Sequence, residues 1–173
     1  MNMRRALLVI DMLNDFTDKN APLYVPDNWI IMPEVKRNIL SARSRGEPVI
    51  YVCDSHAIND PEFHRWPPHA VGGTKGAQIV GELEPENEDI IVKKTTYSSF
   101  WKTELDKKLE ELEIGTVRLT GCLTNICVMY TAFECTVRGF CVEVVRDAVA
   151  GIDKTDHEWA LKHMETVLGA RII

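Results

Sequence analysis

The sequence begins its first predicted strand with the apolar run Ala6-Leu-Leu-Val-Ile10, which ends at Asp11. Four more short apolar runs of the same kind begin at Pro48, Asp89, Thr116 and Cys141. Strands that are hydrophobic along nearly their whole length, without polar alternation, are typical of a parallel sheet covered on both faces. The sequence therefore predicts a parallel sheet at the centre of the protein.

The segments between these runs show helical spacing and helix-ending residues. Leu105, Leu109 and Leu112 recur at helical intervals before Gly115, and another helix is predicted from about Asn125. Further stops are predicted at Gly46 and Gly139, and the last helix is predicted to begin at the capping-box pattern Thr155-x-x-Glu158. Alternating strands and helices predict a three-layer α/β/α fold with a mostly parallel, doubly wound sheet, in one domain over residues 1–173.

The composition excludes several classes of partner. The chain has 173 residues, a net charge of −6 and a pI near 5.4, and its Lys and Arg residues are scattered, which argues against nucleic acid. No apolar run is long enough to span a bilayer, and the N-terminal run is too short for a signal peptide. The five cysteines form no CxxC pair, so reduced thiols and a cytoplasmic location are expected rather than a disulfide framework.

Reactive side chains follow four of the predicted strands. Asp11 follows the first, Asp54 and His56 the second, Lys93 and Lys94 the third, and the segment 121–127 the fourth. In open parallel sheets, ligands bind beyond the carboxyl ends of the strands. We therefore expect an acid, a metal-binding pair, a base and a thiol to meet at one edge of the sheet.

Cys127 is the candidate nucleophile because it lies where a strand gives way to a helix. The unpaired N–H groups and the dipole at a helix N-terminus are expected to stabilise a thiolate there. A buried, inert cysteine is the alternative, and Cys122 is the nearest rival thiol. Asp11 would act as general base and a lysine would support the ion pair, but the residues alone leave Lys93 and Lys94 as competitors.

Residues 54–81 form a long irregular stretch that contains candidate metal ligands. Asp54 and His56 are two residues apart, so in an extended chain they point to the same side and can bind one ion. His69 is a further candidate, and Glu62 and His64 compete for the remaining position. Imidazole together with carboxylate suits Zn²⁺, Mn²⁺ or Fe²⁺ rather than Ca²⁺.

Three motifs in order resemble the nicotinamidase/isochorismatase-like cysteine hydrolase superfamily. They are Leu8-Val-Ile-Asp-Met-Leu-Asn-Asp-Phe16, Lys94-Thr-Thr-Tyr-Ser-Ser-Phe100 and Gly121-Cys-Leu-Thr-Asn-Ile-Cys-Val128. The resemblance covers nearly the whole chain, and it implies the isochorismatase-like hydrolase fold. It selects Lys94 over Lys93 and Cys127 over Cys122.

Asp54-Ser-His56 and Trp66-Pro-Pro-His69 resemble the nicotinamidase/pyrazinamidase branch, whose members bind a divalent metal. The resemblance implies one ion, with Zn²⁺ as the first choice, held by Asp54, His56, Glu62 and His69, with His64 as the alternative to Glu62. It implies no organic cofactor. The chain departs from the branch pattern by lacking an aromatic residue between Asp54 and His56, and by having Ala70 after His69.

The resemblance also implies a mechanism. Asp11 would take the Cys127 proton, Lys94 would support the ion pair, and the thiolate would form a thioester with the substrate acyl group. The backbone N–H groups of Cys127 and Leu123 would stabilise the oxyanion, with a cis peptide bond before Leu123. Phe16, Trp66 and Tyr97 match positions that line the ring pocket.

The predicted function is therefore hydrolysis of a small amide, with nicotinamide as the first candidate, which would place the enzyme in NAD salvage. The alternatives are an isochorismatase-like hydrolase of another amide, ureido or carbamoyl substrate, a metal-water hydrolase, and a non-catalytic binding module. The only partners expected are the small-molecule substrate and further copies of the chain in a homo-oligomer.

Overall fold

The computed structural model of the protein describes residues 4–173. Its centre is a sheet of six strands in the order β3-β2-β1-β4-β5-β6, and every pairing between neighbouring strands is parallel. The strands are β1 (Arg4–Ile10), β2 (Val49–Asp54), β3 (Ile90–Lys94), β4 (Ile114–Cys122), β5 (Cys141–Ala150) and β6 (Arg171–Ile172). The chain winds outward from β1 to β3 and then returns to the other side of β1, so the strand order reverses between β1 and β4.

Both faces of the sheet are covered, as the apolar strands predict. The helices are α1 (Asn14–Thr17), α2 (Asn28–Ser44), α3 (Leu105–Glu111), α4 (Met129–Val137) and α5 (Lys154–Thr166). Leu7 and Val9 of β1 pack with α2, whereas Leu8 and Ile10 belong to the core that contains α3, α4 and α5. The three-layer α/β/α fold with a doubly wound parallel sheet is therefore confirmed.

The elements differ from the sequence prediction at several ends. Asp54 and Lys94 are the last residues of β2 and β3 rather than the residues after them, and β4 and β5 run on to Cys122 and Ala150. The strand β6 and the helix α1 were not predicted. Both are too short to show a hydrophobic period.

The predicted capping box at Thr155 is wrong. The N-cap of α5 is Asp153, whose carboxylate accepts the N–H groups of Thr155 and Asp156. The Glu158 side chain is paired with Arg146 instead of turning back to the helix start. Asp is preferred to Thr at the N-cap, but the spacing of Thr155 and Glu158 matched the capping-box pattern and led to the wrong start.

Within residues 4–173, the structure contains no helix that is both long enough and apolar enough to cross a bilayer.

Candidate active site and metal centre

Asp11, Lys94 and Cys127 meet at the point where the strand order reverses. Lys94 Nζ lies 2.7 Å from Asp11 Oδ2 and 3.6 Å from Cys127 Sγ. All three residues are buried. The reversal point of a doubly wound sheet is where its ligand crevice forms, so this position suits a reactive site.

Gly121 allows the strand ends to come this close. Its φ is +105°, and a Cβ placed there would lie 2.0 Å from the Ile10 carbonyl oxygen. Any side chain at Gly121 would therefore push β4 away from β1. Asp11, directly after β1, and Cys127, just beyond β4, depend on this contact for their proximity.

Cys127 lies in a π-helical turn, Thr124–Val128, that precedes α4. The Leu123 carbonyl accepts the N–H groups of Ile126 and Val128, and the Cys127 N–H is not among its donors. The peptide bond between Cys122 and Leu123 is cis, as the family resemblance implied. The predicted helix start at Asn125 is therefore replaced by a π turn.

Cys122, the rival thiol, faces the opposite core. It packs on the α2 side of the sheet, whereas Cys127 packs on the side of α3 to α5. The Cys122 thiol donates to the Asp11 carbonyl oxygen at 3.3 Å and accepts from the Asn28 amide. These contacts give Cys122 a packing role.

Lys94 is a fully buried cation held by three oxygen atoms. Besides Asp11, its ammonium group donates to Asp54 Oδ1 at 2.5 Å and to the Thr96 carbonyl at 3.0 Å. Burial alone would lower the pKa of Lys94, but the Asp11 and Asp54 charges outweigh it and raise the pKa well above its usual value. Lys93 points to the other face of the strand and is exposed.

The expected thiolate at Cys127 is not supported. Burial raises the pKa of the Cys127 thiol well above its usual value, and the Asp11 and Asp54 carboxylates add to this against the opposing effect of Lys94. Burial and the Asp54 charge also raise the pKa of Asp11, to about 6. The resting site therefore pairs a neutral thiol with a carboxylate of raised basicity.

Asp54, His56 and His69 form a buried cluster beside this site. Their ligand atoms all lie within 4.8 Å of one another, with Asp54 Oδ2 at 3.6 Å from His56 Nε2 and 3.9 Å from His69 Nε2. Glu62 Oε1 lies 4.0 Å from His69 Nε2. The structure thus brings the four predicted metal ligands together.

The outer nitrogens of both histidines have partners that fix the rings. His56 Nδ1 lies 3.1 Å from Asp60 Oδ2, and His69 Nδ1 lies 2.8 Å from the Pro67 carbonyl. This leaves both Nε2 atoms facing the cluster, and His56 Nε2 is buried without a hydrogen-bond partner. Two imidazoles and carboxylates held in this way fit a divalent ion such as Zn²⁺.

We expect Glu62→Ala to weaken Zn²⁺ binding by about tenfold or more, the scale on which groups supporting a metal site act. His64→Ala should leave the affinity unchanged, because Glu62 is buried beside His69 whereas His64 is exposed. Competition with a chromogenic chelator measures both dissociation constants. A larger loss in the His64 variant would reverse the assignment of the fourth ligand.

The two constellations open into one pocket. The pocket is lined by the aromatic residues that the resemblance predicts, Phe16, Trp66 and Tyr97. The Trp66 indole N–H donates to the Tyr97 hydroxyl at 2.9 Å. The centre of the Phe16 ring lies 5.6 Å from the centre of the His69 ring. Sequence reasoning missed five further lining residues, which are Leu23, Val25, Cys122 (as a pocket residue), Ile126 and Ile152. Of these, Cys122 and Ile126 lie in the motif that contains Cys127, whereas the other three had no local signal.

Comparison with known proteins gives a consistent result. Residues 5–173 match the Isochorismatase domain family. Among solved structures, the nicotinamidase PncA of Bacillus subtilis is 34% identical with a TM-score of 0.93, over 98% of this chain and 99% of that one. The pyrazinamidase of Pyrococcus horikoshii in complex with zinc is 33% identical with a TM-score of 0.93, over 98% of each chain. An N-carbamoylsarcosine amidase from Thermoplasma acidophilum is 35% identical with a TM-score of 0.90, over 98% of this chain and 95% of that one.

The fold and these relatives define the class of protein, a hydrolase that acts on the C–N bond of an amide. The chain belongs to the isochorismatase family, and nicotinamidases and pyrazinamidases are among its homologues.

Proposed function

We propose that the protein is a nicotinamidase that converts nicotinamide to nicotinate and ammonia through a thioester on Cys127. The observation that carries this proposal is the single pocket in which Cys127, paired with Asp11 and Lys94, lies beside the Asp54, His56 and His69 cluster. A thiol at one side and a metal-binding cluster at the other suit a small aromatic amide whose ring and carboxamide need separate recognition.

In the proposed reaction, Asp11 removes the proton from the neutral Cys127 thiol as the sulfur attacks the amide carbonyl carbon. The raised pKa of Asp11 suits it to accept this proton, and the Lys94 ammonium favours the charged forms of both partners. The N–H groups of Cys127 and Leu123 stabilise the oxyanion of the tetrahedral intermediate.

The intermediate collapses as the C–N bond breaks. Asp11 returns its proton to the departing nitrogen, and ammonia leaves behind a thioester between the acyl group and Cys127. Asp11 then takes a proton from water, which attacks the thioester carbonyl carbon. Cleavage of the C–S bond gives the acid and restores the thiol with that proton.

A divalent ion would be held by Asp54, His56, His69 and Glu62. Two imidazoles together with carboxylates favour Zn²⁺. When bound, the ion would accept the pyridine nitrogen of nicotinamide and orient its ring. Phe16, Trp66 and Tyr97 would enclose the ring, with Trp66 and Tyr97 held together by their hydrogen bond.

The test is ammonia release from nicotinamide by Zn²⁺-loaded protein. We expect turnover that follows the metal content, because stripping the ion removes the group that orients the ring. Pyrazinamide, which keeps a ring nitrogen in the same relation to the carboxamide, should also be hydrolysed. Benzamide lacks that nitrogen and should be a poor substrate. Equal rates on nicotinamide and benzamide would contradict the proposed role of the ion.

A second candidate is hydrolysis of an N-carbamoyl amino acid. The observation in its favour is the 35% identity to the N-carbamoylsarcosine amidase, similar to that with the nicotinamidase. Ammonia release from N-carbamoylsarcosine, with none from nicotinamide, would favour this candidate. The homo-oligomer and the cytoplasmic location stay predictions.

A further inference from the structure

We propose that Asp15 is a positioning residue for the metal centre, acting through the backbone of Ala70 to set the spacing of His56 and His69. This inference rests on the proposed metal site and assigns a task to a carboxylate that neither the metal cluster nor the catalytic group uses. Asp15 belongs to the short helix α1, directly before Phe16.

Ala70 connects the two histidines. It follows His69 in the chain, and its carbonyl accepts the His56 N–H at 3.0 Å. Ala70 is fully buried and has a φ of +44°, a left-handed conformation that residues with a side chain rarely adopt. The backbone at Ala70 therefore needs support from its surroundings.

Asp15 supplies that support. Its Oδ2 accepts the Ala70 N–H at 2.8 Å, the only polar hydrogen that Ala70 has to offer. Without the carboxylate, this N–H would lose its acceptor in a part-buried position, and the left-handed turn would lose the contact that holds it. His69 and His56 would then shift relative to each other, because both are tied to Ala70.

The Asp15 side chain is itself held in place by Gly76. A Cβ at Gly76 would lie 2.1 Å from Asp15 Oδ2, so the carboxylate packs directly on the glycine backbone. The Asp15 N–H donates to the Gly76 carbonyl at 3.0 Å, and the Asn14 side chain donates to the Lys75 carbonyl at 2.9 Å. The loop around Gly76 therefore holds the Asp15 carboxylate on one side, and the carboxylate binds the Ala70 N–H on the other.

The test measures Zn²⁺ and Co²⁺ dissociation constants of the metal-stripped full chain by chelator competition. Asp15→Ala is expected to weaken binding by about 10- to 100-fold, the usual effect of removing a group that orients a metal ligand. Asp15→Asn keeps an oxygen that accepts the Ala70 N–H, so it should restore most of the affinity. Asp18→Ala, an exposed carboxylate of the same segment, should bind metal as the wild type does.

Two further variants distinguish a specific effect of Asp15 on metal binding from a general loss of stability. Tyr51→Phe also removes a buried hydrogen bond, from the Tyr51 hydroxyl to the Leu83 carbonyl, and should lower the melting temperature without changing the metal affinity. Gly76→Ala should weaken metal binding like Asp15→Ala, because its methyl group displaces the carboxylate. In an Asp15→Ala background, Gly76→Ala should have little further effect.

Unchanged affinity in Asp15→Ala, or in Gly76→Ala if the Asp15 variant does not fold, would overturn the inference. Equal losses in Asp15→Asn and Asp15→Ala would also overturn it, because the hydrogen bond would then not be the cause. A wild type that binds no metal would overturn the metal site and the inference together. Normal metal binding with no hydrolysis of nicotinamide would contradict the proposed substrate alone.

Discussion

Cys127→Ala is expected to lower the turnover of the best amide substrate by at least about 10⁴-fold, the scale on which removal of a covalent nucleophile acts. The buried Cys127 thiol lines the pocket, with the Lys94 ammonium group 3.6 Å away and Asp11 paired to that ammonium group. Without the sulfur atom, the proposed thioester cannot form. Asp11 then has no thiol proton to remove, and Lys94 has no thiolate to stabilise. Steady-state ammonia release measures the loss, and rapid acid quenching followed by mass spectrometry detects the acyl-enzyme of the wild type.

The control for this variant is the metal centre. The Zn²⁺ affinity of Cys127→Ala should equal that of the wild type, because Cys127 does not belong to the cluster of ligand atoms. Cys141→Ala, which removes an exposed thiol at the start of β5, should keep full activity. Turnover that survives in Cys127→Ala with its metal in place would instead make a metal-activated water the nucleophile.

Lys94→Met is expected to lower the free energy of unfolding of the metal-free protein by about 3–5 kcal/mol at pH 8, the usual effect of removing one partner of a buried ion pair. The substitution leaves the Asp11 and Asp54 carboxylates buried and close together without their shared cation. For a chain of this size the change corresponds to a fall in melting temperature of about 6–20 °C. Thermal unfolding followed by circular dichroism measures it.

Lys93→Met is the matched control, because it removes the same side chain one residue earlier in β3. Lys93 is exposed on the other face, so its loss should change the free energy of unfolding by no more than about 0.5 kcal/mol. Adding Asp11→Asn to Lys94→Met should recover part of the stability, since one buried charge is then removed. If Lys94→Met were as stable as Lys93→Met, the buried ion pair would not contribute to stability.

The central sheet could be predicted from the sequence because its strands carry a strong local signal. The near-continuous apolar runs report burial on both faces, and Leu7 and Leu8 do pack into opposite cores. Strand ends carry a weaker signal. The apolar run predicts that β3 ends before Lys93, whereas the strand continues to Lys94, a buried lysine that is paired with two carboxylates.

The sequence could predict which residues of the candidate site lie close together, but not the charge interactions between them. Motif resemblance selected Lys94 and Cys127, and the structure places both beside Asp11. A helix N-terminus and a neighbouring lysine predict a lowered pKa for Cys127, yet burial and two nearby carboxylates raise it. Such effects arise between residues distant in sequence, as when Asp11 and Asp54 meet across β1 and β2, so no local pattern reveals them.

The two oxygens of Asp54 have consequences for engineering. Oδ1 is bound to Lys94, and Oδ2 faces the two histidines, so one carboxylate contacts both the cation beside the proposed nucleophile and the proposed metal ligands. A designer who wants a metal-independent amidase on this scaffold should replace His56 and His69 and leave Asp54 untouched. A substitution at Asp54 would remove a charge partner of Lys94, beside Cys127, as well as a proposed metal ligand.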